Sequence, residues 1–190
     1  MNDDENTLDS EAKAFLLKVA REAMEHAVHT GKAFEKGHFL ASAPQSTLEN
    51  RGAFVIVKDR ATGKLHGCMG EVQPTRPLVE AVAAQAVEAA LNDLRFAPVT
   101  EGNLQSVAVE ISVLSPLKPV ESWKDIVIGR DGITIEKDGS FAVCLPQIPQ
   151  YQGWDLPEAL TSISRSAGLP PDAWREGAKF ETFQAEVFHD

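Results

Sequence analysis

Residues 52–72 read GAFVIVKDRATGKLHGCMGEV, and this stretch says most about the fold because it predicts a β-hairpin. Residues 52–58 are apolar and rich in β-branched side chains, as in a buried strand, and residues 65–72 return as its partner. The residues between them, 59–64, are polar and contain a glycine, which is typical of a turn. The hairpin therefore carries a single cysteine, Cys68, on its second strand.

Two glycines, Gly67 and Gly70, stand close to Cys68 within this strand. Glycine weakens a strand and is normally found there at a bulge, or where another backbone or a ligand approaches closely. Side chains alternate along a strand, so Met69 is expected to face the core while His66 and Cys68 share the opposite face. We therefore expect an accessible, uncrowded thiol with a histidine on the same face.

The spacing of apolar residues predicts further helices and strands that do not alternate regularly. Helices are expected at residues 10–30, 77–92 and 155–168, and strands at residues 107–114, 132–136, 141–145 and 180–188. This order favours an α+β fold with a mainly antiparallel sheet flanked by helices. Residues 1–9 are expected to form a disordered acidic tail, and residues 10–188 a single domain.

The composition is that of an ordinary globular protein, with 43% hydrophobic and 24% charged residues. The formal charge of −10 argues against general affinity for nucleic acid or anionic membrane, which depends largely on Lys and Arg. Cys68 and Cys144 are far apart, the start of the chain is acidic where a signal peptide is basic, and no stretch has the length of a transmembrane helix. We therefore expect a cytoplasmic protein with two free thiols.

The motif Leu65-His66-Gly67-Cys68-Met69-Gly70 resembles the Leu-Arg-Gly-Cys-Ile-Gly signature of the AMMECR domain family. In bacteria and archaea this family is called AmmeMemoRadiSam system protein A. Further segments resemble the family in the same order: residues 51–55, 93–98, 110–116, 128–133, 145–147, 153–154, 167–174 and 185–188. The resemblance extends over residues 10–188, and it departs from the signature at His66 and Met69.

The resemblance implies a fold and a set of partners, but no particular reaction. It implies two unequal lobes with a cleft between them, the signature lying near that cleft. It also implies the company of a Memo-type protein and a radical-SAM enzyme, and roles suggested for the family include transcription, replication, repair and translation. The family arginine is His66 here, and a histidine supplies positive charge beside the thiol only when it is protonated.

Cys68 is the first candidate for a catalytic role, with His66 as its neighbouring cation or base. A thiolate nucleophile needs access, a depressed pKa and such a neighbour, whereas a structural cysteine needs none of these. For zinc, His66 and Cys68 give two ligands where a site uses three or four, and the sequence contains neither Cys-x-x-Cys nor His-Glu-x-x-His. We therefore expect neither a metal nor a cofactor.

Six residues are candidates for binding at the wall of the cleft: Arg51, Gly67, Gly70, Asp93, Arg95 and Glu110. Asp93 follows a predicted helix, where a carboxylate opposes the helix macrodipole, so an ion pair with Arg95 or a role toward substrate would explain it. Glu110 projects from the outward face of a predicted strand, where exposure to solvent is the default.

Two functions of different classes are consistent with these observations. The chain is a thiol-dependent component of a modification system, acting with Memo-type and radical-SAM partners through a cleft around Cys68, or it is a non-catalytic regulatory or protein-binding module. The first hypothesis predicts that Cys68 alkylates faster than Cys144 at pH 7. The second predicts that Cys68→Ser leaves complex formation intact.

Overall fold

The computed structural model describes residues 7–190, and over that range the chain forms four α-helices and eight β-strands. In chain order these are α1 (Ser10–Thr30), β1 (Ala53–Asp59), β2 (Leu65–Glu71), α2 (Leu78–Val87), β3 (Val107–Leu114), β4 (Lys118–Val120), β5 (Gly132–Lys137), β6 (Ser140–Cys144), α3 (Gln147–Gln152), α4 (Leu156–Ser166), β7 (Lys179–Phe183) and β8 (Ala185–His189). The strands form two sheets, in the orders β2-β1-β3-β8 and β4-β7-β5-β6. Pairing is antiparallel throughout the second sheet and between β1 and its two neighbours, so the predicted α+β fold with mainly antiparallel pairing is confirmed.

The chain divides into two compact units. The first consists of the described residues up to Leu114 together with Glu186–Asp190, and the second of Ser115–Ala185. The expectation of a single domain over residues 10–188, and that of two unequal lobes with a cleft, stay predictions. Among the described residues, no helix combines the length and the hydropathy needed to cross a membrane.

The core of the first unit lies between its sheet and the helices α1 and α2. Alternate residues of β1 and β3, such as Val55 and Ile111, face this core and are fully buried. Helix α1 begins where the Asp9 carboxylate accepts the Ala12 N–H at 2.8 Å, and it ends at Gly31, whose φ of 70° is left-handed. The helix predicted at residues 10–30 is therefore confirmed at both ends.

The predicted acidic tail is described only in part, since residues 1–6 lie outside the described range. Leu8 is 3% exposed and belongs to the hydrophobic core of the first unit. Its neighbour Asp9 caps α1. These two residues are therefore part of the folded start of the helix.

The helix predicted at residues 77–92 changes its winding before it ends. It is α-helical from Leu78 to Val87 and continues as a π-helical turn over Glu88–Asn92. Such turns are rare and occur frequently at functional sites. The residue directly after this π-helical turn is Asp93, a candidate site residue.

A β-bulge interrupts the hairpin at His66. Val57 pairs with Gly67, and the next residue of β1 pairs with Leu65, so His66 is an extra residue on β2. The bulge breaks the alternation from which His66 and Cys68 were expected to share a face. That expectation assumed regular pairing, so the shared face of His66 and Cys68 stays a prediction.

The second unit is built on local signals that the sequence shows. The turn between β5 and β6 places Asp138 at φ 52° and Gly139 at φ 78°, both in the left-handed region that tight hairpins require. At the start of α4, Asp155 and Glu158 form a reciprocal capping box with hydrogen bonds of 2.9 Å. The predicted hairpin and the predicted start of this helix are confirmed.

The single strand predicted at residues 180–188 is wrong. The structure has two strands, β7 and β8, and they belong to different sheets. Between them, Gln184 exchanges hydrogen bonds with Ser115: its N–H donates to the Ser115 hydroxyl and its C=O accepts the Ser115 N–H, both at 2.9 Å. The apolar pattern continues across this point, but the chain changes sheets there.

Candidate functional site

Cys68, Asp93, Arg95 and Glu110 lie near one another in the first unit. Cys68 pairs with Ile56 on β1, and Ile56 pairs with Glu110 on β3, so the three form one row across the sheet. This row lies on the face opposite α1 and α2, because the alternate residues of β1 and β3 face the helices. The sheet therefore places the thiol and a carboxylate on the same face.

The sequence led us to expect that Glu110 is exposed to solvent, and this is wrong. Both faces of β3 are buried. It is 4% exposed, and its carboxylate pairs with Lys58 Nζ at 2.7 Å. Regular alternation on β3 identifies the face that packs on the helices, but it does not reveal that the other face is also covered.

The side chains of Asp93 and Arg95 hold the backbone of Cys68. Asp93 Oδ2 accepts the Cys68 N–H at 2.9 Å, and Arg95 Nη2 donates to the Cys68 carbonyl at 3.0 Å. The two side chains also pair with each other, with Arg95 Nε donating to Asp93 Oδ1 at 2.8 Å and Nη2 to Oδ2 at 2.6 Å. We call this arrangement the Asp93–Arg95 clamp.

The clamp covers part of an open sheet edge. Strand β2 ends the order β2-β1-β3-β8, so its outward N–H and C=O groups have no neighbouring strand in the described part of the chain. At Cys68 the clamp satisfies both of these groups. The ion pair considered from the sequence for Asp93 and Arg95 is therefore present, and it is tied to the cysteine.

The Asp93 carboxylate is strongly stabilised in its ionised form. The hydrogen bonds from Arg95 and from the Cys68 N–H lower its pKa to about 2, against the opposing effect of burial. The hydrogen bond to Asp93 in turn raises the pKa of Arg95 above its ordinary value. Asp93 is 7% exposed, whereas the Arg95 side chain is 62% exposed, so the clamp has a buried anion and a cation that reaches solvent.

The pKa of the Cys68 thiol is raised, whereas a nucleophilic cysteine has a lowered pKa. Burial raises its pKa to about 11; Arg95 lowers it, and the charges of Asp93 and Glu110 raise it further. At pH 7 a thiol with that pKa is ionised in about one molecule in ten thousand. Burial also raises the pKa of Cys144 to about 11, so the two thiols are ionised to the same extent at a given pH. They differ in exposure, since Cys68 is half-buried and Cys144 is buried.

The glycines near Cys68 are explained by close packing. A Cβ added at Gly67 would lie 1.8 Å from the carbonyl oxygen of Ala89, in the π-helical turn. A Cβ added at Gly70 would lie 2.2 Å from the ring of Phe54. Gly67 thus leaves room for the backbone of the turn that leads to the clamp, and Gly70 leaves room for the Phe54 ring. Neither glycine is there to make the sulfur of Cys68 accessible.

Two other candidates have different surroundings. His66 lies in the bulge and contributes to the lowered pKa of Asp59, which arises mainly from hydrogen bonds with Thr62. Arg51 is 8% exposed; burial lowers its pKa, and the charges of Glu186 and Glu49 oppose that shift. The positive charge that acts on Cys68 comes from Arg95, and neither His66 nor Arg51 appears among the groups that shift the pKa of Cys68.

Leu94 is a feature that the sequence-based reasoning missed. It lies between the two clamp residues, and its side chain is 99% exposed. The backbone N–H of Phe96 donates to the Asp93 carbonyl at 3.1 Å, and the Arg95 guanidinium lies 5.4 Å from the centre of the Phe96 ring. The sequence did contain a signal for it, because Leu94 is an apolar residue between two charged ones just after a predicted helix.

Metal ligands do not gather in the part of the chain that the structure describes. Over residues 7–190, no group of three or more His, Cys, Asp or Glu side chains is arranged as metal ligands would be. The carboxylates beside Cys68 are paired instead with Arg95 and Lys58. The chemistry of this region is therefore that of ion pairs and a protonated thiol.

Comparison with known proteins gives concordant matches over nearly the whole chain. The family model described as AMMECR1 matches residues 17–188. A protein of Methanopyrus kandleri is 36% identical over 96% of this chain and 90% of its own length, and one of Methanocaldococcus jannaschii is 37% identical over 96% and 92%. The crystal structure of an uncharacterised protein from Pyrococcus horikoshii matches with a TM-score of 0.88 and 36% identity, covering 96% of this chain and 93% of that one.

Proposed function

The chain belongs to the AMMECR1 family, and on that premise we propose that it is a protein-binding component whose contact surface includes Leu94, Arg95 and Phe96. We call these three residues the Leu94 surface. The observation that carries the proposal is the 99% exposure of Leu94 between two residues that are fixed by hydrogen bonds. The proposed role is non-catalytic, with Cys68 serving as the backbone anchor of the surface.

A single exposed leucine is ordinary on a protein surface, and the argument rests on how this one is held. Burial of a leucine side chain against a partner contributes roughly 1.5–3 kcal/mol. Because the clamp fixes the residues on both sides, a partner would pay little conformational entropy to order the loop. Its neighbours also suit an interface, since arginine and aromatic side chains are enriched at such surfaces.

Thiol chemistry at Cys68 is the second candidate function, and one observation favours it. The Arg95 guanidinium lowers the pKa of the Cys68 thiol against the larger effect of burial. A change that exposed Cys68 while Arg95 stayed in place would therefore favour the thiolate. Until such a change occurs, the thiol is protonated at neutral pH, and for this reason we rank binding first.

The partners that we propose are a Memo-type protein and a radical-SAM enzyme in the cytoplasm. The partners follow from the family resemblance of the motif around Cys68. Both cysteines of the chain are free, which supports a reducing compartment. The formal charge of −10 makes a protein partner a better match than nucleic acid.

The test is a binding measurement with the full chain immobilised and a purified Memo-type or radical-SAM protein from the same organism in solution. Leu94→Asp is expected to weaken binding at least tenfold, because a carboxylate would have to be buried where an apolar group was. Val187→Asp is the matched control, since it makes the same kind of change at another exposed apolar residue of the first unit. Cys68→Ser is expected to bind normally.

Three results would contradict the proposal. Wild-type protein that binds neither partner would refute the choice of partners. Equal affinity of Leu94→Asp and wild type would refute the Leu94 surface. Loss of binding in Cys68→Ser, with its fold intact, would favour the thiol function over the binding function.

A further inference from the structure

A cavity of about 410 Å³ in the first unit takes no part in the clamp or the Leu94 surface. It lies between α1, the segment of residues 33–39 and α2, and its apolar lining includes Ala23, Phe39 and Val87. Its volume falls within the range of small-molecule sites, roughly 300–1,000 Å³. The cavity is therefore large enough for a compact organic molecule.

One wall of the cavity is fixed by a stack of aromatic rings. Phe34 lies between His26 and His38, with ring centres 4.0 Å away on each side and interplanar angles of 14° and 9°. Phe39 meets Phe34 edge-on at 5.2 Å and His38 edge-on at 4.8 Å. The stack ties the segment of residues 33–39 to α1, so this wall is formed before any ligand arrives.

The charges around the cavity leave one carboxylate without a cation. Arg76 is occupied by Glu71, with hydrogen bonds of 3.0 and 2.6 Å, and Glu35 and Lys36 carry opposite charges at the exposed rim. The Glu80 carboxylate has no hydrogen bond or ion pair with any residue in the described range, and its Oε1 is buried. The cavity therefore has an excess of one negative charge.

The position of Glu80 in the first turn of α2 explains why the fold tolerates it there. A carboxylate near a helix N-terminus is stabilised by the macrodipole. The dipole supplies no hydrogen bond to the buried oxygen, however, and a buried acceptor without a donor is unfavourable. An ammonium group in the cavity would instead meet the other carboxylate oxygen, Oε2, which is not buried, and would compensate the charge of the carboxylate.

We propose that this cavity binds a small organic cation, an amine carried on an apolar or aromatic body. Its ammonium group would pair with the Glu80 carboxylate in a charge-assisted hydrogen bond, and its body would pack against Phe39 and Val87. A neutral molecule leaves the negative charge uncompensated, and an anion adds to it. The proposal is independent of the Leu94 surface and its partners.

The test compares three probes of similar size that differ in charge: 2-phenylethylamine, 2-phenylethanol and 3-phenylpropionate. Binding to the full chain is followed by amide chemical shifts of the labelled protein. Tryptophan fluorescence is unsuitable, because none of Trp123, Trp154 and Trp174 lines the cavity. The amine is expected to bind at least tenfold more tightly than the alcohol, with the carboxylate weakest, and to shift the amides of residues 33–39.

Two variants and a control separate charge from shape. Glu80→Gln keeps the size of the side chain and is expected to reduce amine affinity at least tenfold, to the level of the alcohol. Ala84→Leu fills the cavity and is expected to abolish binding of all three probes. Glu101→Gln removes the same charge from an exposed residue that does not line the cavity, and it is expected to bind like wild type.

The proposal is overturned by any one of three results. These are the absence of amine binding to wild type, equal binding of amine and alcohol, and unchanged amine affinity in Glu80→Gln. Thermal unfolding of each variant establishes that it folds. If Ala84→Leu does not fold, the comparison of Glu80→Gln with Glu101→Gln still decides the question.

Discussion

Asp93→Asn is expected to destabilise the protein in a pH-dependent manner. The substitution keeps the shape of the side chain but removes the charge that pairs with Arg95 and accepts the Cys68 N–H. The pKa of Asp93 is lowered from 3.8 to about 2, and that difference corresponds to about 2 kcal/mol of stability at neutral pH. We therefore expect Asp93→Asn to unfold about 2 kcal/mol more easily than wild type at pH 7.

The sign of the pH dependence follows from the direction of the shift. A carboxylate whose pKa is lower in the folded state stabilises the fold above its unfolded pKa, and this stability is lost as pH falls through the folded pKa. For Asp93 the window runs from about pH 4 down to about pH 2. At pH 3 the difference between wild type and Asp93→Asn is therefore expected to shrink to about 1 kcal/mol.

Urea unfolding followed by far-ultraviolet circular dichroism measures this difference at each pH. The exchange rate of the Cys68 amide hydrogen gives a local measurement, because that N–H donates directly to Asp93. Asp172→Asn is the control, since it changes an exposed aspartate in the second unit. A stability difference that does not vary between pH 7 and pH 3 would contradict this prediction, as would equal exchange of the Cys68 amide in wild type and Asp93→Asn.

Two further predictions concern the surroundings of the clamp. Gly67→Ala is expected to destabilise the protein by about 3 kcal/mol or more in chemical unfolding, because the added Cβ would overlap the carbonyl of Ala89. Gly102→Ala is the control, because that position has room for a Cβ and its stability should change little. Similar losses of stability in the two variants would contradict this prediction. Iodoacetamide is expected to label Cys68 slowly at pH 7 and about tenfold faster with each pH unit up to about pH 10, because the pKa of Cys68 is about 11. Arg95→Gln should slow the labelling further, since the guanidinium lowers that pKa, whereas a plateau below pH 9 would argue for a reactive thiol.

The elements that the sequence predicts well are those specified by neighbouring residues. The start and end of α1 depend on Asp9 and Gly31, each acting within four residues along the chain. The turn at Asp138 requires a conformation that its own residue types favour. These signals are complete within a short window, so they can be recognised before the fold is known.

The candidate site was predicted in part, because its contacts join residues that are distant in sequence. Asp93 and Arg95 were recognised as a charged pair, but their hold on Cys68 spans more than twenty residues and leaves no local pattern. The burial of Glu110 likewise depends on what covers the second face of β3. The bulge at His66 depends on register, which alternation alone does not reveal.

The π-helical turn over Glu88–Asn92 sets the direction in which the chain leaves its helix. An α-helix advances by about 100° per residue, so one residue more or fewer here would swing the following segment by about that angle. Asp93 comes directly after the turn, and its carboxylate accepts the Cys68 N–H at 2.9 Å, so such a rotation would move it away from that amide. The number of residues in this turn therefore matters as much as the carboxylate that follows it. We expect an insertion or deletion here to disrupt the clamp even at positions where a substitution is tolerated.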